Sequence, residues 1–321
     1  MTRDTEALPD TGSVDIVSAG DAADVVDEVA EDAPAGRMLI ALDIDGTVIL
    51  EDETLSPGVV EAVAHAQERG HEVMLATGRS WDSTHHIMEQ LRIEPAYAVC
   101  SNGAIVMGRR EGEPATYERV HVETFDPSEV LTLLREHLAD AHYLVELPDG
   151  RRLYTQYLDD WNLQHADRVP FEELSRQPVC RVVVVSPDHS DTDFLELVSR
   201  IGLTQVSYAI GWTAWLDIAP QGVNKSTGLQ LVRERLGIDP SPVLVMGDGR
   251  NDLEMFEWAL RSGGRAIAMG QGPEEVLAAA GEVGLSVTEG GVAAILRDRH
   301  IRSCSDPDSS SRPMRCACGA P

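Results

Sequence analysis

The chain of 321 residues is longer than one compact domain usually is, and its 43% hydrophobic and 25% charged residues suit a soluble globular protein with one core plus an inserted or appended unit. Its 54 acidic against 26 basic side chains give a formal net charge of -28, which argues against broad electrostatic attachment to nucleic acid or anionic membrane. No apolar run is long enough to span a bilayer, the N-terminus has acids where a secretory signal needs bases, and the cysteines form no disulfide framework, so the chain reads as cytoplasmic with reduced thiols.

Residues 1–36 are rich in Asp, Glu, Ala and Val, with Arg3 the only base and no aromatic residue, the composition of a disordered acidic leader. A partner-binding helix over residues 22–29 is the alternative. Residues 38–42 are apolar on both faces, as a central parallel strand is, and run into Asp43-Ile44-Asp45-Gly46-Thr47. Ligands collect outside the carboxyl ends of such strands in open α/β sheets, so the chemistry is expected here. Residues 57–70 give an amphipathic helix with proline at its start and glycine at its end, and 72–76 a second strand, forming a right-handed βαβ unit. That strand ends in Thr77-Gly78-Arg79. A helix over 81–91 and a strand over 97–100 lead to the turn Ser101-Asn102-Gly103-Ala104.

The middle of the chain has a different pattern. Strands are expected at 120–123, 143–147, 152–157, 181–186, 206–210 and 214–218, with helices only at 127–138 and 191–201. Pro148-Asp149-Gly150 is a hairpin turn, which points to an antiparallel sheet with helices on one face. From Gly222 the βα alternation resumes, with helices at 225–236 and 251–259 and strands at 243–246 and 265–269. The resulting fold class is α/β: a doubly wound, Rossmann-like parallel-sheet core (37–117 and 214–300) with an inserted α+β cap domain at 118–213. Residues 301–321 form a loose tail, in which Cys304, Cys316 and Cys318 lack a recognisable metal-ligand spacing.

If strands 38–42 and 243–246 are neighbours, three or four of the carboxylates Asp43, Asp45, Asp248 and Asp252 converge. Such a cluster repels itself unless a cation sits in it, and an all-oxygen set suits a hard ion such as magnesium. Asp43 is then a candidate nucleophile toward phosphorus, and Asp45 the acid that protonates the leaving oxygen; paired acids also serve as plain metal ligands or helix caps. Thr77, Gly78 and Arg79 gather a hydroxyl, an open backbone N–H and a guanidinium suited to a phosphoryl group, or form a capped strand-to-helix turn. Lys225 stands at a helix start, where the dipole disfavours a cation, so something anionic should compensate. Asp248 can hold a metal directly and Asp252 directly or through water, while Asn251 orients an oxygen. Glu51, Asp52 and Glu53 are assigned to a solvated loop.

Together, Asp43-Ile44-Asp45-Gly46-Thr47, Thr77-Gly78-Arg79, Lys225 in Gly-Val-Asn-Lys and Gly247-Asp248-Gly249-Arg250-Asn251-Asp252 resemble, in order, the four motifs of the haloacid dehalogenase-like hydrolase superfamily. The Ser101-Asn102-Gly103-Ala104 turn and an insert between the second and third motifs resemble its Cof-type, or IIB, branch. The resemblance covers roughly residues 37–298 and implies a magnesium-dependent phosphatase. It implies Asp43 as nucleophile and metal ligand, and Asp45 as acid/base that also lends its backbone carbonyl to the metal. Thr77 and Lys225 would bind the phosphoryl group, and Asp248 would complete the metal site with Asp252 in support. Asp45 argues against dehalogenation, since a halide leaves without a proton.

The insert would close over the site and choose a small phosphorylated metabolite, phosphosugars first, then nucleotides and flavin or pyridoxal phosphates. Asn102 can touch substrate or form the turn, and His142, Arg151, Arg152, Trp161 and His165 are pocket or surface residues of the cap. A phosphomutase of the same fold and a non-catalytic phosphometabolite sensor are the rival functions, though binding alone needs no Asp45. The sequence carries no signal of oligomeric state.

Overall fold

The computed structural model describes residues 37–298 apart from 113–114, 158–164, 188–190, 202, 204–205, 211–214 and 239–242. The expected acidic leader, the Cys-containing tail and Trp161 lie outside the described residues. In chain order the elements are β1 (Leu39–Leu42), α1 (Val59–Glu68), β2 (Glu72–Leu75), α2 (Trp81–Leu91), β3 (Tyr97–Cys100), β4 (Ile105–Arg110) and β5 (Thr116–Val122). Then come α3 (Ser128–His137), β6 (His142–Glu146), β7 (Arg152–Tyr154), β8 (Ala166–Arg168), β9 (Arg181–Val185), α4 (Asp191–Ile201), β10 (Val206–Ile210) and β11 (Trp215–Pro220). The remaining elements are α5 (Lys225–Arg235), β12 (Val243–Gly247), α6 (Leu253–Arg261), β13 (Arg265–Ala268), α7 (Glu274–Ala279), β14 (Glu282–Val283) and α8 (Gly291–Leu296).

A parallel sheet runs in the order β14-β13-β12-β1-β2, and a bridge from Ala76 to Val99 continues it toward β3. Both faces are covered, which is why its strands carry continuous apolar runs. Ile40, Leu42, Leu244 and Met246 pack on one face against Val63 of α1, Leu91 of α2 and Leu296 of α8. Leu39, Ala41, Val243 and Val245 pack on the other against Leu229 and Val232 of α5 and Phe256 of α6. The core is therefore doubly wound. A mixed sheet runs β10-β11-β9-β6-β7-β8, antiparallel except for β7 with β8. One of its faces buries Tyr143, Val145, Val182, Val184, Leu216 and Ile218 against α3 and α4. Among the described residues no helix is long and apolar enough to cross a membrane.

The insert expected at 118–213 does not coincide with the sheet edges. β5 pairs with β4, which pairs with β3, and β11 belongs to the mixed sheet although it begins at Trp215. A strand's apolar pattern is the same in either sheet, so periodicity places such an edge only to within one element. The elements β4, β8, α7, β14 and α8 were not anticipated. β8 reads Ala-Asp-Arg and is held by pairing with β7, and β14 has two residues; neither is long enough to show a period.

Phe256 fills the space between α6 and the sheet that carries both acidic strand ends, and it is fully buried. Phe256→Ala should cost about 3–5 kcal/mol, seen as a lower urea midpoint; a loss under about 1 kcal/mol would mean the sheet is not held from this face.

Candidate active site

β1 and β12 are neighbours, and the chain winds away from them in opposite directions, to β2 on one side and β13 on the other. The crevice beyond their carboxyl ends is thus the switch point of the sheet. Asp43 follows β1, with its N–H donating to the Met246 carbonyl at 3.0 Å, and Asp248 follows β12. Lys225, the first residue of α5, is fully buried between them: its Nζ lies 2.8 Å from Asp43 Oδ1 and 2.7 Å from Asp252 Oδ1. These are the anions that a cation at a helix start requires. Asn224 caps the same helix, its Oδ1 accepting from the N–H groups of Ser226 and Thr227.

Burial pulls the Lys225 ammonium down, but Asp252 and Asp43 more than offset this and keep the proton on it. Burial raises the Asp43 carboxyl well above its usual range against the pull of Lys225, and Asp252, Asp45 and Asp248 add to the rise. Asp248 is pushed up to about 7, by burial first and Asp252 second. Asp43, Asp248 and Asp252 each bring an oxygen within 4.8 Å of the others. Burial is thus the first cause of the rise at Asp43 and Asp248 with neighbouring carboxylates adding to it, whereas at Lys225 the neighbouring carboxylates outweigh burial. An all-oxygen group with this surplus of negative charge can hold a hard divalent cation.

Local backbone fixes the acids. Asp252 Oδ2 accepts from the N–H groups of Asp248 and Gly249, both at 2.9 Å, so with Lys225 on Oδ1 both its oxygens are engaged. Gly46 has φ +67, and a Cβ there would lie 2.0 Å from Asp248 Oδ2, so the first acidic loop passes directly over the second. Gln271, not among the residues expected from sequence, braces that crossing. Its Nε2 donates to the Gly46 carbonyl at 2.6 Å and to Asp248 Oδ2 at 3.2 Å, and its Oε1 accepts from the Val287 N–H. Its signal was its place just beyond the carboxyl end of β13.

Asp45 stands apart from the buried group, its side chain 58% exposed. Arg79 donates to it through Nη2 at 2.6 Å and Nε at 3.0 Å, and also reaches Glu53 Oε1 at 3.2 Å. Glu53, assigned from sequence to a solvated loop, is exposed but shares this guanidinium. Thr77 is fully buried and its Oγ1 accepts from the Arg79 N–H. The Gly78 N–H enters no hydrogen bond among the described residues.

Asn102 joins the two sheets. Its Nδ2 donates to Asp217 Oδ2 on β11 at 2.9 Å, and its Oδ1 accepts from Asn251 Nδ2 at 3.1 Å. Asp217 can only accept, so the orientation of both amides is set by it. Arg181 on β9 grips Asp217 with two bonds of 2.7 Å, Glu146 on β6 accepts from Ser101 Oγ, and Arg152 on β7 pairs with Asp82. Of the other expected cap residues, Arg151 pairs with Asp149 at the surface, His165 is exposed and His142 is partly buried on β6. Arg181, Asp217 and Glu146 were not singled out from sequence; their signal was a charge at a buried position of an apolar strand.

The family model described as haloacid dehalogenase-like hydrolase matches residues 40–296. The 5-amino-6-(5-phospho-D-ribitylamino)uracil phosphatase YitU of Bacillus subtilis is 26% identical over 270 residues, 81% of this chain and 96% of that protein. The pyridoxal phosphate phosphatase YbhA of Escherichia coli is 27% identical over 75% of this chain and 91% of its own length. The solved structure of the HAD subclass IIB sugar phosphatase BT4131 superposes with a TM-score of 0.68 at 20% identity, covering 82% of this chain and 99% of that one.

Removing the ammonium strands two buried carboxylates. Lys225→Met should therefore cost about 3–5 kcal/mol in chemical unfolding at neutral pH. The deficit should narrow as pH falls, since an acid whose folded-state pKa is raised takes up its proton first in the folded protein and stabilises it. An unchanged midpoint would remove Lys225 from the framework of the site.

Proposed function

Since the chain belongs to the haloacid dehalogenase-like hydrolases, and with them is a phosphoric monoester hydrolase acting on small phosphorylated metabolites, we propose that it works through an aspartyl phosphate in a magnesium-dependent site. The observation that carries this is Lys225, buried 2.8 Å from Asp43 Oδ1 at the switch point of the sheet. An ammonium there lets a dianionic phosphoryl group approach a carboxylate, which charge repulsion would otherwise oppose.

In this mechanism an Asp43 oxygen attacks phosphorus and the bond to the leaving oxygen breaks. Asp45 gives its proton to that oxygen, then takes one from the water that cleaves the acyl phosphate and regenerates Asp43. For this, Asp45 exchanges Arg79 for the leaving oxygen. Thr77 Oγ1, the Gly78 N–H, Arg79, Lys225 and Asn251 hold the phosphoryl oxygens. Asp43, Asp248 and the Asp45 backbone carbonyl would hold the ion, with Asp252, already engaged on both oxygens, acting through water or by fixing its neighbours. Bound there, magnesium would offset phosphoryl charge and fix the reacting oxygens. Phosphosugars lead as substrates, the relative from Bacillus subtilis being a phosphatase of a phospho-D-ribityl compound.

Asp43→Asn should abolish release of phosphate from p-nitrophenyl phosphate while the protein stays folded by circular dichroism. Retained turnover would sink the nucleophile. Asp45→Asn should lower kcat by about 10²–10⁴ on a sugar phosphate, where the leaving oxygen needs its proton, and by less on the aryl ester. Equal losses on both would argue against proton transfer by Asp45. Chelation should remove activity and magnesium restore it, whereas activity that persisted through exhaustive chelation would discard the metal.

A further inference from the structure

Through Glu146 and Asp217 one face of the mixed sheet meets the loop that follows β3, and the other face is covered by α3 and α4. On that covered side, between α3 and the ends of β7 and β8, lies a cavity of about 420 Å³. Pockets for small molecules run from roughly 300 to 1,000 Å³, so it is large enough to hold one. Val169 and Phe171, which line it, also pack on the apolar cluster beneath α3, so the cavity is turned away from the acidic crevice.

Two guanidiniums line this cavity, Arg135 from α3 and Arg168 from β8. In a chain with 54 acids and 26 bases, a base without an acid beside it is unexpected, yet neither arginine forms an ion pair among the described residues. Neutral groups hold them instead. Arg135 donates through Nη1 to the Ala139 carbonyl at 2.7 Å, and its Cζ lies 4.8 Å from the centroid of the Phe171 ring. That ring is itself set edge-on to Tyr143 at 5.0 Å. Arg168 donates through Nε to the Thr155 carbonyl at 3.0 Å, so both its Nη groups are without partners among the described residues. Thr155 is fixed in turn, since its N–H donates to the Tyr143 carbonyl and its Oγ1 accepts from the Tyr143 N–H. Both arginines are exposed, so an ion from solution can reach them.

We propose that this cavity is a second ligand site, separate from the reaction site, and that it takes a small organic anion. A phosphate or carboxylate group would lie between Arg135 and Arg168, and a compact apolar body against Val169 and Pro170. Both oxyanions present the paired acceptors that a guanidinium fork matches. Two like charges turned to one cavity repel each other until an anion joins them, and their anchoring on Phe171 and Thr155 lowers the entropy lost when it does. None of this depends on the phosphatase reading.

The test is arginine labelling of the full-length protein with phenylglyoxal, read residue by residue by mass spectrometry, which tells protection at Arg135 and Arg168 from protection at Arg79. Phenylphosphonate and benzoate place the two oxyanions on one apolar body, while sulfate has the charge alone and benzyl alcohol the body alone. At least one aromatic anion should protect Arg135 and Arg168 together and saturably, at concentrations where sulfate and benzyl alcohol do not. Protection by phenylphosphonate alone would make the ligand a phosphate, and by benzoate alone a carboxylate. Arg135→Gln should raise the concentration that half-protects Arg168 by about 10-fold or more, and Arg168→Gln should do the same at Arg135. Turnover of p-nitrophenyl phosphate should be unchanged in both variants; were either to fail to fold, the wild-type pattern decides. Protection by neither aromatic anion, protection of one arginine without the other, or equal protection by sulfate or benzyl alcohol would overturn the site. So would an unchanged half-protecting concentration in a folded variant.

Discussion

A single buried ammonium sets the terms for the rest of this structure. Lys225 begins α5, where the helix dipole opposes it, and is fully removed from water, where desolvation opposes it. Neither cost is tolerable unless two anions are brought to it with good geometry. Those anions come from the end of β1 and from the turn after β12, so the ion pairs require the two strands to be neighbours and α5 to start at their carboxyl ends. Packing of Leu229, Val232 and Phe256 beneath the sheet holds the same arrangement from the apolar side. Polar and apolar demands thus specify one geometry, which is the consistency expected of a sequence with a single folded state.

The solution is deliberately incomplete in charge. Asp43, Asp248 and Asp252 gather about one ammonium, a surplus of negative charge, and burial first with neighbouring carboxylates second raises Asp43 and pushes Asp248 up to about 7. A proton and a divalent cation are alternative ways to relieve that surplus, and a group poised between them suits an incoming phosphoryl group, whose own charge must also be offset. Gly46 and Gln271 serve this balance sterically: the absence of a side chain at 46 lets the first loop cross Asp248, and the Gln271 amide ties the crossing together.

How much of this the sequence discloses follows from where each contact is encoded. Asp43, Asp45, Asp248 and Asp252 sit where apolar strands end, within a few residues of each other in two short motifs, so local pattern and the geometry of parallel sheets suffice to place them. Lys225 was legible for a different reason, as a cation at the wrong end of a helix. Arg181, Asp217 and Glu146 were not legible, because their meaning depends on the register of strands far apart in the chain, which apolar periodicity does not determine. Gln271 belongs to neither kind, since its role comes from tertiary contacts with Gly46 and Val287.

Asn102 shows why the two kinds of information meet at one residue. Ser101, Asn102 and Gly103 all take positive φ, a conformation that costs free energy at the two non-glycine positions. A Cβ on Gly103 would lie 2.1 Å from the Asn224 carbonyl, so the turn is pressed against the start of α5 and cannot relax outward. Held there, the Asn102 amide contacts both Asp217 of the mixed sheet and Asn251 of the acidic loop, and the acceptor-only carboxylate of Asp217 dictates which way it points. A change in the position of Asp217 is therefore felt at Asn251 through one rigid amide rather than through flexible side chains. The strained turn is thus what brings the mixed sheet and the acidic loop after β12 to one amide.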